Sequence, residues 1–103
     1  MEVFIIISDL IKSYRIDLEF LDVSPFELLD MLYRRSEIEK LFPSISIKDK
    51  LSLWECDILL LQNSISIYSS VSNIYDFSKS EHPKNEWWWH LKDIADVKLS
   101  IIM

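Results

Sequence analysis

The sequence predicts an all-α fold, a compact four-helix bundle-like domain with a long central third helix, and three observations carry that expectation. Glycine is absent from all 103 residues. Turns between strands need positive φ more often than helical connections do, so a helical chain dispenses with glycine more easily than a β one. Apolar residues recur at spacings of three and four over long stretches, as on helices with a buried face. A complete helix-start motif, Ser24-Pro25-Phe26-Glu27, stands in the first third of the chain. Half of the residues are hydrophobic, enough for one core. Residues 1–103 are therefore expected to form a single helical domain, without internal repeats.

The first helix is expected over residues 2 to 14, where Val3, Ile7, Leu10 and Tyr14 repeat with helical spacing. The β-branched cluster Ile5-Ile6-Ile7 favours a strand by propensity, but the periodicity continues beyond it. Residues 15 to 23 read as a connection anchored by Leu18, Phe20 and Leu21.

The second helix starts at a capping box. The Ser24 hydroxyl can accept from an orphan amide, Pro25 suits the first helical position, and Glu27 can reach back to the serine N–H. Val23 could staple onto Leu28. The helix should run to about Phe42 and stop at Pro43, which disfavours α conformation in the residue before it. Glu27, Asp30, Arg34 and Glu37 then share a solvent face, while Leu28, Leu29, Leu32 and Tyr33 look inward.

The third helix opens after Ser46, with Asp49 completing a weaker box. Its apolar seam is Ile47, Leu51, Trp54, Ile58, Leu61, Ile65 and Tyr68, alternating spacings of four and three in heptad fashion. A second stripe, Leu53, Cys56, Leu60, Ile67, Val71 and Ile74, follows another face, and Gln62, Ser66, Ser69 and Asn73 keep the rest polar. A helix apolar on two sides is either central in a bundle or pinned between its core and another subunit, which makes a homodimer the expected assembly. Residues 64–68 alternate with period two, as a strand would. Their continuation of the seam favours helix.

Residues 78–85 have linker composition, and Asn85 is a candidate N-cap for a fourth helix over residues 86 to 98. There Trp87, Leu91, Ile94 and Ala95 share a face, Trp88 borders it, and Trp89 falls with Lys92, Asp93 and Asp96 on the polar side. Three consecutive indoles on a helix cover roughly 200° of arc, more than the stripe of about 100° that a surface helix buries. At least one indole is thus expected to face something other than the domain's own core. Trp89 fits either an interface or local packing over Lys92.

Composition narrows the function classes. With 17 acidic against 11 basic residues the net charge is −6, which opposes nucleic-acid phosphates and anionic membranes and suits a basic protein partner. The lone Cys56 excludes an intrachain disulfide and points to a reducing cytoplasm. The apolar runs at 3–7 and 99–103 are too short to span a bilayer.

Cys56, His82 and His90 do not have the spacing of a zinc site. Glu86 and His90, four apart, could share a helix face but read as a capping or surface pair. Cys56 falls in an apolar stripe, where a cysteine behaves as a small hydrophobe. No serine lies in a nucleophile motif, so no catalytic residue, cofactor or metal is expected. The basic doublet Arg34-Arg35 is explained by helix-surface pairing with neighbouring acids such as Glu37 and Glu39.

Two segments, Ser24-Pro25-Phe26-Glu27-Leu28-Leu29-Asp30 and Glu86-Trp87-Trp88-Trp89-His90-Leu91-Lys92-Asp93-Ile94-Ala95, resemble a family of small bacterial proteins common in cyanobacteria, with the layout SPFELLD…WWWHLDKIA. The resemblance spans the second helix onward. It departs in the Lys92-Asp93 order, which the family reverses, and in the loop before it, which lacks a longer acidic-proline stretch. Some members are labelled antitoxin-side components of toxin–antitoxin systems, and the family implies no catalytic residue. The expected function is therefore a non-enzymatic protein-binding module, an antitoxin-like neutraliser of a basic protein partner. Trp88, Trp89, His90, Asp93 and Asp96 are the candidate partner-binding residues. A DNA-binding autoregulatory module, or a structural or assembly subunit, is the alternative.

Overall fold

The first helix runs further than the opening periodicity predicts. In a computed structural model, which describes residues 2–83 and 85–102 and the side-chain surroundings of 6–83 and 85–97, α1 spans Glu2–Glu19. Its inward residues are Ile7, Ile11, Tyr14 and Leu18, so the same four-three-four spacing carries the helix through the expected connection. Leu18 and Leu21 anchor against the core as expected, but Phe20 is 63% exposed. The side chains of Val3 and of 99–103, and all of Lys84, lie outside the described residues.

Helix α2, Pro25–Lys40, begins with the capping box the sequence predicts. The Glu27 amide donates to the Ser24 Oγ at 3.3 Å, and the Ser24 amide donates to the Glu27 carboxylate at 3.2 Å. Reciprocal capping satisfies donors that the first turn leaves open and stabilises the start by about 1 kcal/mol. After Lys40 the chain tightens into a 3₁₀ turn, Phe42–Ser44, around Pro43.

Helix α3, Ile47–Gln62, is capped by the Ser46 hydroxyl, which accepts from the Asp49 amide at 3.2 Å. The predicted long helix is divided at Asn63, and α4 continues as Ser64–Val71. Asn63 Nδ2 donates to the Leu59 carbonyl at 2.8 Å, competing with the backbone for the acceptor that holds the helix together. The segment 64–68 is helical, and no strand occurs among the described residues. The Ser64 hydroxyl is buried with no hydrogen-bond partner among the described residues. Residues 72–83 form an irregular loop with one 3₁₀ turn, Phe77–Lys79. Helix α5, Leu91–Ile102, follows a separate turn over Trp87–Trp89. The four-helix expectation thus holds as all-α, with five α-helices among the described residues rather than a bundle around one long third helix. Helix α1 packs on α2 and α3, while α4 packs on α5 and α2.

The two apolar stripes that the sequence shows on α3 meet different surroundings. Leu53, Cys56 and Leu60, continued by Ile67 and Val71 of α4, are fully buried. Along α3 the heptad seam faces outward: Ile47, Leu51, Trp54 and Ile58 are each more than half exposed. Both stripes satisfy helical spacing, so packing partners decide between them. The deciding partner is Asp57, beside the inner stripe, which is held by Arg35 of α2 and Tyr14 of α1.

No helix of the described residues is long and apolar enough to cross a membrane.

Candidate functional site

Three surfaces or clusters carry unusual chemistry, and the tryptophan run is the first. The run lies in a 3₁₀ turn ahead of α5 rather than within a long helix. At about three residues per turn, successive side chains diverge by about 120°, so the three indoles meet different surroundings. Trp88 and Trp89 are both fully buried, which corrects the expectation that Trp89 stands on a polar outward side. No indole needs an outside partner here, because α2 covers this turn on one side and the 72–83 loop on another. Trp89 stacks face to face on His82 with centroids 4.1 Å apart, and meets Tyr33 and Tyr75 at 4.8 and 5.4 Å.

One hydroxyl holds both buried indoles. Trp88 Nε1 donates to Ser36 Oγ at 2.9 Å, Trp89 Nε1 donates to the same oxygen at 2.7 Å, and Ser36 Oγ donates to Glu86 at 2.9 Å. Two acceptances and one donation use the full capacity of a serine hydroxyl.

The Arg35 guanidinium lies 4.2 Å over the Trp88 ring, is itself almost wholly buried, and forms a two-point bond to Asp57 through Nε at 3.0 Å and Nη2 at 3.1 Å. Its Nη1 reaches Glu39 at 3.3 Å, and the Tyr14 hydroxyl donates to Asp57 at 2.8 Å. Burial alone would lower the Arg35 pKa, but the bonds to Asp57 outweigh it and leave it raised. Burial, reinforced by the Asp57 charge and hydrogen bond, pushes the Tyr14 hydroxyl well above its ordinary range. The sequence reading placed Arg35 on the surface. The i,i+4 pair with Glu39 is present, but Arg35 sits in the apolar register of Leu28, Met31, Leu32 and Ile38, and that register was the available signal.

The remaining predicted site residues do not converge. His90 is half-buried, with Nε2 3.1 Å from the His82 carbonyl and 3.2 Å from the Pro83 carbonyl. Both neighbours are acceptors, so this nitrogen carries the proton and the ring pins the loop. Asp93 is exposed on α5, and exposed Asp96 pairs with Lys92 at 3.0 Å. Glu86 turns to Ser36 rather than to His90. Among the described residues no group of three or more His, Cys, Asp and Glu side chains could hold a metal ion. Cys56 is buried, and burial raises its pKa, which disfavours the reactive thiolate.

The second feature is the corner where α1 turns into α2. Ile16, Phe20 and Val23 line a hollow of about 100 Å³, the size of one side chain, together with Asp17 and Glu27. Phe20 and Phe26 are 63% and 65% exposed. From Ile16 to Asp30 the chain carries Asp17, Glu19, Asp22, Glu27 and Asp30 and no basic residue. Asp17 pairs with Arg34, yet burial still holds its carboxyl above the ordinary range. The sequence places residues 15 to 23 in a connection and the rest in the second helix, which hides the corner although its aromatic and acidic interleaving is visible.

The third feature is the outward face of α3. Beside it opens a hollow of about 470 Å³ walled by Trp54, Ile58 and Leu61 on one side and by Phe42, Glu39 and Trp87 on the other, with Arg35 and Asp57 also reaching it.

Comparison with known proteins returned no match: no family model fits this chain, and no curated protein or solved structure is significantly similar to it.

Proposed function

We propose that this chain is a non-enzymatic protein-binding module, an antitoxin-like neutraliser of a basic protein partner that works as a homodimer. The observation that supports it most is the corner between α1 and α2. Exposed Phe20 lines a hollow sized for a single side chain, exposed Phe26 adjoins its wall residue Glu27 in sequence, and every charged residue from Ile16 to Asp30 is acidic. Exposed aromatics supply hot-spot area, and acids of one sign speed and orient encounter with a basic partner. The overall charge of −6 acts in the same direction. The resemblance of the two motifs to antitoxin-labelled proteins supplies the partner class, a basic toxin.

This reading moves the docking surface from the tryptophan run to the corner. A labelled Lys- and Leu-rich amphipathic peptide, titrated by fluorescence anisotropy, tests it. Binding should weaken as salt rises, because the encounter is electrostatic. Phe20→Ala/Phe26→Ala should weaken it about tenfold or more, a loss near 1.4 kcal/mol. Equal affinity for an acidic peptide of matched hydrophobicity, or no effect of the double substitution, would refute the assignment.

A further inference from the structure

The homodimer in that reading leaves open which surface self-associates, and the outward face of α3 answers from its own charge pattern. Ile47, Leu51, Trp54 and Ile58 form a seam spaced four, three and four, each residue more than half exposed. In heptad terms Leu51 and Ile58 occupy a, while Ile47 and Trp54 occupy d. The flanks are divided along the helix axis. Beside the seam the N-terminal half carries Lys48 and Lys50, with Asp49 between them turned towards Ser8 of α1, and the C-terminal half carries Glu55 and Asp57.

We infer that two copies of this chain pair through antiparallel α3 helices, with the two-fold axis passing between residues 52 and 53. In that register Leu51 packs against Trp54 of the second copy, and Ile47 packs against its Ile58. Both are a-to-d layers, and each occurs twice by symmetry. On the α1 side Lys48 comes opposite Glu55 of the second copy. On the α2 side Lys50 comes opposite the mouth of the hollow walled by Glu39 and Trp87, where the carboxylates of Glu39 and Asp57 outnumber the single guanidinium of Arg35 that they share. The sides are consistent with the fold: Glu55 pairs with Arg15 of α1, and Lys50 already lies over Phe42, which lines the hollow. Two acidic chains repel one another overall, so a self-interface must bring opposite charges together, and head-to-tail alignment of this helix does so. The seam from Ile47 to Ile58 is only about 16 Å long at 1.5 Å per residue. The association is accordingly reversible on dilution.

This inference rests on the homodimer proposed above and is separable from the acidic corner, which lies on another part of the chain. Sedimentation velocity over a wide concentration series should show a monomer–dimer equilibrium. Leu51→Glu/Ile58→Glu should shift it to monomer by a hundredfold or more in dissociation constant, with helix content retained and, at dilutions where the wild-type chain is also monomeric, the same melting temperature. The orientation is read by disulfide trapping. Mixed Lys48→Cys and Glu55→Cys chains should cross-link to each other, while neither variant alone should cross-link efficiently, because Cys56 is buried and does not compete. A wild-type chain that is monomeric throughout, a double glutamate variant that still dimerises, or Lys48→Cys chains that cross-link among themselves would overturn the proposal. The glutamate monomer should still bind the basic peptide with unchanged affinity per chain. Loss of peptide binding with intact dimerisation would instead count against the corner alone.

Discussion

Trp89 is fully buried between Tyr33, Tyr75 and His82, whereas Trp54 stands 57% exposed on α3 between Leu51 and Ile58. The difference lies in what each indole N–H and ring edge can reach. Trp88 and Trp89 share Ser36 as acceptor and have aromatic or cationic neighbours, so their burial leaves no donor unpaired. Trp54 borders an open hollow on a helix whose opposite face already supplies the core. A tryptophan run therefore does not mark a binding surface by its composition. Its polar atoms have to be accounted for before its faces are assigned.

The sharpest way to break the buried side of this comparison is Asp57→Ala. It strands the Arg35 guanidinium beneath Trp88 and removes the acceptor of Tyr14, so urea unfolding should show a loss of about 3–5 kcal/mol. Replacing Arg35 and Asp57 together by Met and Leu should recover part of that loss, since no charge is then left unpaired in the core, although Tyr14 still lacks its acceptor and part-exposed Glu39 its cation. Ser36→Ala is next. It orphans two buried indole donors at about 1–3 kcal/mol each, and the near-UV circular dichroism of the tryptophans should change with it.

The network also predicts a pH dependence. The folded Tyr14 pKa lies above its unfolded value near 10. Its contribution to stability is therefore fully present below about pH 10 and is lost as pH rises from there through the folded value, because the unfolded chain releases the proton first. Melting temperature should fall through that alkaline range, and Tyr14→Phe should flatten the fall. Smaller still, Ser64→Ala removes a buried hydroxyl without a partner and should stabilise the chain by about 1 kcal/mol in the same urea assay. Trp54→Ala should change monomer stability by less than about 0.5 kcal/mol, as an exposed site does. That near-zero value against the Ser36 result is the comparison in its most compact form.

The sequence made the helical class legible because it depends on local chemistry. The capping box at Ser24, the Ser46 cap and the arrest at Pro43 are decided by a few adjacent residues. The helical spacing of Leu91, Ile94 and Ala95 likewise survives unchanged in α5, where Leu91 and Ala95 are buried and Ile94 packs partly against the core. What remained hidden was non-local. The choice of inner stripe on α3 turns on Arg35 and Asp57, which are 22 residues apart, and the burial of Trp89 turns on Ser36, 53 residues away. The break at Asn63 was missed because its cause is a side chain bonding to a backbone carbonyl within a seam that otherwise runs on. The acidic corner is hidden in the sequence because Phe20 reads there as an anchor of the core, whereas it points outward.

Acrylamide quenching of tryptophan fluorescence over a dilution series tests the contrast between the two tryptophan sites, and with it the pairing of α3, most directly. The expected result is a readily quenched component that grows as the chain is diluted and shrinks in Trp54→Phe to the part owed to half-buried Trp87, while the emission of Trp88 and Trp89 stays shielded throughout. A quenched fraction independent of concentration, or one that persists in Trp54→Phe at the same amplitude, would contradict it.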